Sequence, residues 1–303
     1  MKTLKNCCRR SGNSGFNHEH GIKHADLFTI RHIIVILNEM FPPGFPPVSN
    51  KALYCYRVLI KWFSFFFFGL SSLVLVILIF PPMRLFIHPD DRFKKTARRF
   101  ISASMRFFIG LMHVLGIVNL KTDDREQYRN LSSKIIIANH PSLLDVVMLL
   151  SLIPNADCIV NAYLKTNIIV IGIVRHLYIL GSLDYDSLMQ ACSESLQKGN
   201  CLIVFPEGTR TPRSGNVIIK KGAARIAMIC GCNIVPVHIG GTDKFGLGKK
   251  DPWVGFNPRE RYVYDLSMGT EIEIEKYRNL SMPKAVRVLT REIHTSLFPE
   301  KIK

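Results

Sequence analysis

The 303-residue sequence lacks the patterns that identify disulfide-bonded, metal-binding or nucleic-acid-binding proteins. None of its eight cysteines lies in a C-x-x-C pair, and several lie in apolar segments, where free cysteine behaves as a small hydrophobic side chain. We therefore predict no disulfide framework and no metal site, which suits a reducing compartment. The sequence also has no zinc-finger spacing, RNA-binding signature or basic heptad repeat, which disfavours a nucleic-acid partner.

Acidic residues are scarce, because 23 Asp and Glu stand against 40 Lys and Arg, for a net charge of +17. This surplus favours anionic partners such as an anionic lipid surface or a phosphate-bearing substrate. A G-x-S-x-G nucleophile motif is also absent, which argues against a serine hydrolase. Apolar residues, in contrast, make up 48% of the chain, which is ample for a packed core.

The most apolar stretch of the chain is at residues 62–80, nineteen residues without a charge. A helix of that length can cross the hydrocarbon core of a bilayer, and Pro81 and Pro82 are predicted to end it. More Lys and Arg follow the stretch than precede it, so the positive-inside rule predicts an inner-membrane protein with its main domain in the cytoplasm. A re-entrant segment in one leaflet and a buried core helix are the alternatives.

The chain divides into three predicted parts. Residues 1–50 are predicted to be an irregular N-terminal segment, to which we assign no function. Residues 51–120 are predicted to be membrane-associated helices, because 100–120 has the pattern of an amphipathic helix at an interface. Residues 121–303 alternate strand-like and helical patterns, which predicts an α/β domain with a mostly parallel sheet flanked by helices.

Within that domain, short apolar runs indicate strands and longer periodic segments indicate helices. Ser187 and Gln190 have the spacing of a capping box, and Pro236 favours an edge strand or a bulge. The predicted strands are 134–138, 202–205, 234–239, 262–265 and 271–275, and the predicted helices are 145–152, 184–198, 220–230 and 283–297.

Asn139, His140 and Asp145 come directly after the predicted strand 134–138. In open α/β sheets, ligands bind beyond the carboxyl ends of the strands. His140 could act as a general base if Asp145 fixes its tautomer. A spacing of five does not align two residues on one helix face, so the pair requires a turn. The alternative is that Asp145 complements the helix dipole and His140 is an ordinary loop residue.

Glu207, Gly208, Thr209 and Arg210 follow the predicted strand 202–205 and have the composition of a substrate clamp. Glycine lets the backbone approach a ligand closely, and arginine can grip phosphate with two parallel hydrogen bonds. Glu207 could accept hydrogen bonds from a polyol. The alternative is a turn with solvated charges.

Three motifs in this order resemble those of the glycerolipid acyltransferase family. They are N-H-x-x-x-x-D at 139–145, F-P-E-G-T-R at 205–210 and V-P-V at 235–237. The resemblance implies a glycerol-phosphate acyltransferase-like fold and a membrane-bound enzyme that acylates a lysophospholipid from acyl-CoA or acyl carrier protein, with no cofactor. It further implies that His140 is the general base, Asp145 its partner, and that substrate is bound by Asn139, Glu207, Gly208, Thr209 and Arg210.

The chain departs from the family in its second motif. The family carries an arginine where this chain has Gly181 to Asp186, and Asn161 stands where a lysine is common. Lys165 or Arg175 could supply the missing charge. The chain resembles the branch associated with aryl-polyene-type lipids, so the acceptor is left open. A non-catalytic, basic lipid-binding protein of the membrane surface, built on the same fold, is the alternative function.

Overall fold

The computed structural model describes residues 31, 35–36, 38–40, 47–160, 178–181, 184–213, 215 and 217–299. The chain forms two compact units, Met1–Phe45 and Pro46–Lys303. The few described residues of the first unit are helical, although the sequence predicts an irregular segment there. The remainder of the predicted segment 1–50, apart from 47–50, lies outside the described residues.

The described residues of the second unit form helices and a seven-stranded sheet. The α-helices are α1 (Lys51–Val74), α2 (Phe80–Phe86), α3 (Asp90–Val114), α4 (Arg125–Arg129), α5 (Asp145–Leu152), α6 (Tyr185–Gln197), α7 (Gly222–Cys230) and α8 (Met282–Leu297). The strands are β1 (Val118–Thr122), β2 (Ile135–Ala138), β3 (Ala156–Val160), β4 (Ile179–Leu180), β5 (Cys201–Val204), β6 (Ile234–Gly241) and β7 (Tyr262–Met268).

A 36-residue helix, Lys51–Phe86, contains the predicted membrane segment. It consists of α1, a π-helical turn at Leu75–Ile79, and α2. Among the described residues it is the one helix long and apolar enough to cross a membrane, and 28% of its most apolar window is buried against the protein. Asn50 begins it by accepting a hydrogen bond from the Leu53 N–H.

The prediction that Pro81 and Pro82 end this helix is wrong. The turn before them is π-helical, with the Phe80 N–H donating to the Leu75 carbonyl five residues back. The two prolines then occupy the second and third positions of α2, in its first turn, where the absence of an N–H is tolerated. The helix therefore continues to Phe86.

Helix α3 is amphipathic as predicted, but it occupies Asp90–Val114 and not residues 100–120. Asp90 and Asp91 lie in its first turn, where negative charge complements the helix dipole. Gly116 has a φ of 73°, a left-handed conformation that ends the helix. The chain then enters β1, which contains the last residues of the predicted helix.

The sheet has the order β1-β7-β6-β2-β5-β3-β4. Its neighbours are parallel except for the antiparallel pair β6 and β7, which confirms a mostly parallel sheet. Ile135 and Ile137 of β2 belong to the core formed with α6, α7 and α8. Ile136 points to the opposite face, because side chains alternate along a strand, and α3 and α5 pack together on that side.

Pro236 lies in an interior strand, so the prediction of an edge position or a bulge is wrong. The Pro236 carbonyl accepts from the Gly269 N–H, just beyond the last residue of β7. A residue's N–H and C=O point to the same side of a strand, so the missing donor also faces the end of β7. The proline thus interrupts no hydrogen bond inside the ladder between β6 and β7.

Two local predictions also need correction. Helix α6 is capped by Asp184, whose carboxylate accepts from the Ser187 N–H, and not by a capping box that begins at Ser187. Asp184 is the better cap because it precedes the first helical residue. At 271–275, Ile272 makes an isolated bridge to Ile234, and a 3₁₀-helix at Ile274–Tyr277 follows in place of a strand.

Candidate active site

The two predicted motifs meet at the carboxyl ends of β2 and β5. These strands are parallel neighbours, with Ile137 in register with Val204. His140 and Phe205 follow the two strands, and their rings stack with centroids 4.2 Å apart and an interplanar angle of 25°. The sheet therefore brings together two loops that are separated by more than sixty residues of sequence.

His140 and Asp145 form the central contact of this site. The Nδ1 atom of His140 lies 2.7 Å from Oδ2 of Asp145. Asp145 is the first residue of α5, so the contact forms across the turn that the spacing requires. A carboxylate only accepts hydrogen bonds, so Nδ1 carries the proton in this contact and Nε2 is left as the basic ring nitrogen. The Asp145 side chain is fully buried, whereas 17% of the His140 side chain is exposed.

Ser142 and Tyr264 hold the Asp145 carboxylate, and the sequence analysis did not identify either residue. The Ser142 N–H donates to Oδ2 at 2.7 Å, and its hydroxyl donates to Oδ1 at 2.6 Å. The single hydroxyl proton of Ser142 is used in this way, so Tyr264 donates its own to Ser142 Oγ, 2.7 Å away. Burial raises the pKa of Tyr264 well above its ordinary value, which keeps the phenol protonated as a donor.

Lys244 lies behind this network, and it forms no ion pair with a carboxylate among the described residues. Its Nζ donates to the carbonyls of Gly240, Thr242 and Val263 and lies 4.6 Å from the centroid of the Tyr264 ring. Burial lowers the pKa of Lys244 to about 8, although the nearby Asp145 acts in the opposite direction. No sequence signal marks this lysine, because lysines are frequent in the chain.

Asn139 connects β2 to β6. Its Nδ2 donates to the Ile239 carbonyl at 2.9 Å, and its Oδ1 accepts from the Ile239 N–H at 2.6 Å. Both ends of the amide are therefore bonded to backbone, and the residue is buried. In this structure Asn139 positions the loop that carries His140, whereas the resemblance implies substrate binding.

Glu207 connects the two site loops. Its Oε1 accepts from the His140 N–H at 3.0 Å and from the Thr211 hydroxyl at 2.6 Å, while the Thr211 N–H donates to the His140 carbonyl at 2.7 Å. The other oxygen, Oε2, is buried without a hydrogen-bond partner among the described residues. Burial raises the pKa of Glu207, and the hydrogen bond from Thr211 opposes this rise. The contacts of Glu207 in this structure are therefore to the protein itself.

Gly208 and Thr209 lie on the exposed side of the second loop. Gly208 has a φ of 66°, in the left-handed region that favours glycine. A Cβ at this position would lie 2.5 Å from Nζ of Lys220, so the lysine ammonium sits directly against the glycine. The loop thus presents a backbone turn, a hydroxyl and a cation to solvent, which together suit an anionic group.

Arg210 fixes this loop to the connection between β6 and β7. Its Nη1 donates to the carbonyls of Leu247 and Gly248 at 2.9 and 2.8 Å. The Leu143 N–H, from the His140 loop, donates to the same Leu247 carbonyl at 3.1 Å. Among the described residues these contacts use one terminal nitrogen of the guanidinium, which leaves the other for a ligand.

Comparison with known proteins identifies a matching family model and several relatives. Residues 119–240 match the family model named Acyltransferase. A chloroplastic 1-acyl-sn-glycerol-3-phosphate acyltransferase from Brassica napus is 29% identical over 192 residues, covering 58% of this chain and 52% of that protein. A 1-acyl-sn-glycerol-3-phosphate acyltransferase from Cocos nucifera is 31% identical over 142 residues, covering 44% of each protein. These findings support a relationship between this chain and the glycerolipid acyltransferases.

The similarity covers part of each relative, because the chain spans about half the length of the curated family members it matches. The structure of the 1-acyl-sn-glycerophosphate (LPA) acyltransferase PlsC from Thermotoga maritima is also similar. It has a TM-score of 0.57 and 20% identity, and the match covers 82% of this chain and 100% of that one. At this identity the likeness shows the fold. The aryl-polyene branch stays a prediction.

The second family motif falls largely outside the described residues. Asn161, Lys165 and Arg175 lie in 161–177, and residues 182–183 interrupt the stretch from Gly181 to Asp186. The roles suggested for the two cations are therefore still predictions.

The candidate membrane helix contacts the same β6–β7 connection to which Arg210 donates. Lys61, in the middle of α1, is buried and donates to the carbonyls of Trp253 and Gly255 at 2.6 and 2.5 Å. The rings of Trp62 and Trp253 lie 6.2 Å apart. In the sequence, Lys61 is the charge directly before the apolar stretch 62–80. In the structure it anchors the first half of α1 to the connection that also supports the site.

Proposed function

We propose that this chain is a membrane-bound O-acyltransferase that moves a fatty acyl group from a thioester to a hydroxyl of a lipid acceptor. The observation that carries the proposal is the 2.7 Å contact between His140 Nδ1 and the buried Asp145. The family comparisons support acyl transfer to a lipid acceptor in general. The identity of the donor, the base and the acceptor goes beyond them.

In the proposed reaction, Nε2 of His140 takes the proton of the acceptor hydroxyl while the oxygen attacks the thioester carbonyl carbon. The tetrahedral intermediate then collapses, the carbon–sulfur bond breaks, and the imidazolium gives its proton to the departing thiolate. The products are an ester and a free thiol, and no acyl-enzyme forms. Asp145 stabilises the imidazolium, since its carboxylate stays hydrogen-bonded to Nδ1. General base catalysis of this type contributes about a hundredfold to ten-thousandfold.

The second loop is proposed to bind the acceptor head group. Thr209, the Gly208 turn and Lys220 form its solvent-facing side, and Arg210 contributes its second terminal nitrogen. Glu207 keeps this loop against His140 through the His140 N–H. A head group bound here would lie next to the base, because Phe205 at the start of the loop stacks on the His140 ring. Acyl-CoA and acyl carrier protein are both candidate donors.

Attachment to the membrane is proposed to occur through the helix Lys51–Phe86. Phe66, Ile77 and Leu78 are 71%, 62% and 64% exposed, which suits contact with lipid. We propose that the α/β domain lies on the cytoplasmic side of the inner membrane, which the basic residues after the helix support through the positive-inside rule. A membrane position would bring His140 to an acceptor that lives in the bilayer.

The test is acyl transfer in membranes that hold the wild type, His140→Ala, or the control variant His294→Ala. His294 lies on α8, outside the site. Labelled acyl-CoA and acyl carrier protein are offered with lysophosphatidic acid, other lysophospholipids and lipids that carry a hydroxyl but no phosphate. We expect product from the wild type and from His294→Ala, and at least about a hundredfold less from His140→Ala.

Equal product from wild type and His140→Ala would exclude His140 as the base. No product from any chain, together with retained lipid binding, would favour the non-catalytic lipid-binding protein.

A further inference from the structure

A basic cleft of about 270 Å³ lies between α3, β1, α4 and the end of α5. Its lining includes Arg106, His113, Arg125 and Arg129 and contains no carboxylate. None of these four side chains forms an ion pair with another described residue. The cleft therefore collects basic side chains that form no ion pair within the described part of the protein.

Helix periodicity brings these groups together. Arg106, Gly110 and His113 share one face of α3, at intervals of four and three residues, and Arg125 and Arg129 are one turn apart on α4. Gly110 leaves room between them, since a Cβ built there would meet nothing within 4 Å. The Arg106 guanidinium is oriented by a 2.9 Å hydrogen bond to the Ser102 hydroxyl.

Like charges one turn apart on a helix destabilise it, and charges from a second helix add to the repulsion. An anion in the cleft would relieve this repulsion. The arginine fork matches the geometry of phosphate, with which it forms paired, charge-assisted hydrogen bonds. The cleft thus suits a phosphate group better than an apolar ligand.

The neighbouring surface of α3 indicates where the phosphate comes from. Phe107 and Val114 are 65% and 82% exposed on the face next to the cleft. A helix with an exposed apolar edge and a basic flank is typical of an element that lies at the surface of an anionic membrane. Helix α3 also follows the helix Lys51–Phe86 after the short connection at 87–89.

We propose that the basic cleft binds the phosphate head group of an anionic phospholipid of the surrounding membrane. The cleft is separate from the site around His140, because it contacts the end of α5 that contains Ser151 and Leu152, whereas Asp145 lies at the other end. An eight-residue helix is about 12 Å long. The proposal rests on the membrane attachment proposed above, but not on acyl transfer.

The test uses the full chain in uncharged detergent micelles, so that binding is measured without an acyl donor. Thermal unfolding midpoints are recorded while soluble dihexanoyl-phosphatidylglycerol, dihexanoyl-phosphatidylcholine or inorganic phosphate is added. The test variant is Arg106→Gln/Arg125→Gln/Arg129→Gln. The control, Lys284→Gln/Arg287→Gln/Arg291→Gln, removes the same number of charges from exposed positions of α8.

We expect phosphatidylglycerol to raise the midpoint of the wild type and the control in a saturable, salt-sensitive way. The apparent affinity should fall about fivefold for each arginine removed in the test variant. If the triple variant does not fold, Arg125→Gln/Arg129→Gln replaces it, because both side chains are exposed on α4.

Three results would overturn the proposal. The test variant could respond like the wild type, or phosphatidylcholine could raise the midpoint equally, which would exclude recognition of charge. Inorganic phosphate at the same concentration could have the full effect, which would indicate a site for a free anion. An inactive wild-type enzyme that still shows the phosphatidylglycerol response would count against the acyltransferase reaction and leave the head-group site intact.

Discussion

The phenol oxygen of Tyr264 lies 2.7 Å from the hydroxyl oxygen of Ser142, and this contact joins β7 to the loop that carries His140. Ser142 in turn donates to Asp145, whose other oxygen meets His140. The orientation of the proposed base, His140, therefore depends on Tyr264, which is 122 residues from Ser142 in the sequence. Each member of this chain of hydrogen bonds is buried except the histidine.

Asp145→Asn should lower kcat by about a hundredfold or more and leave KM nearly unchanged. An amide in this position can donate its hydrogen to Nδ1, which would move the proton of His140 to Nε2 and remove the base. The control is Asp186→Asn, which changes an exposed aspartate in the first turn of α6. The measurement is the steady-state kcat and KM of both variants and the wild type. Similar kcat values for Asp145→Asn and the wild type would exclude the proposed partnership.

Tyr264→Phe should lower kcat about fivefold, the equivalent of one ordinary hydrogen bond, with little effect on KM. The ring still packs in the core, but Ser142 loses its donor and holds Asp145 less firmly. Tyr185→Phe is the control, since that tyrosine is 52% exposed. Kinetics should be read alongside unfolding midpoints. A loss of stability with an unchanged kcat would mean that Tyr264 supports the core and not the orientation of Asp145.

Gly208→Ala should destabilise the protein by about 1–2 kcal/mol, the penalty for a left-handed residue with a Cβ. The φ of 66° imposes this penalty, whereas the exposed Lys220 side chain can move away from the added methyl group. Adding Lys220→Ala should therefore restore little stability, and Gly208→Asn should cost less than Gly208→Ala. Gly222→Ala is the control because a Cβ there meets nothing. If adding Lys220→Ala restored the full stability, the cost of Gly208→Ala would come from the clash with the Lys220 side chain and not from the left-handed backbone.

Lys244 should make stability depend on pH in the alkaline range. Its pKa is about 8 in the folded protein against an ordinary value of 10.5, so between these values the unfolded chain binds more protons. Stability contributed by this residue therefore rises with pH, by up to about 1.4 kcal/mol per pH unit.

The unfolding midpoints of wild type, Lys244→Met and the exposed control Lys249→Met are to be compared between about pH 7.5 and about pH 9.5. The wild type and Lys249→Met should gain stability relative to Lys244→Met as pH rises. Other titrating groups are shared by the three proteins and cancel in the differences. Parallel profiles for all three would show that the folded protein leaves the ammonium of Lys244 unperturbed.

Much of the architecture could be predicted from local sequence patterns. The runs at β2 and β5, the helix Asp145–Leu152 and the glycine after α7 all follow from periodicity and turn chemistry that act over a few residues. Pro236 could not be placed in this way, because its tolerance in an interior strand depends on where β7 ends. Pro81 and Pro82 could not be placed from local patterns either, because the helix continues through them only after a π-helical turn.

In the site, too, contacts between residues close in sequence could be predicted, whereas contacts between distant segments could not. The spacing of His140 and Asp145 indicated a contact across a turn, and the contact lies within one loop and the helix that follows. The substrate-binding roles of Glu207 and Arg210 stay predictions. The structure adds bonds that the sequence did not indicate, to His140, Thr211 and the β6–β7 connection. Backbone partners of that kind leave no mark in the sequence, since any residue can supply an N–H or a C=O.

The sequence by itself determined the class of sheet, the position of the two loops at the ends of strands, the apolar helix and the pair of residues proposed to carry the chemistry. These features depend on the period of apolar residues and on motifs a few residues long. Only the tertiary structure decided what surrounds them. Strand order and helix packing join residues far apart in the chain: they give Tyr264 and Lys244 their partners, and they bring the arginines of α3 and α4 to one cleft.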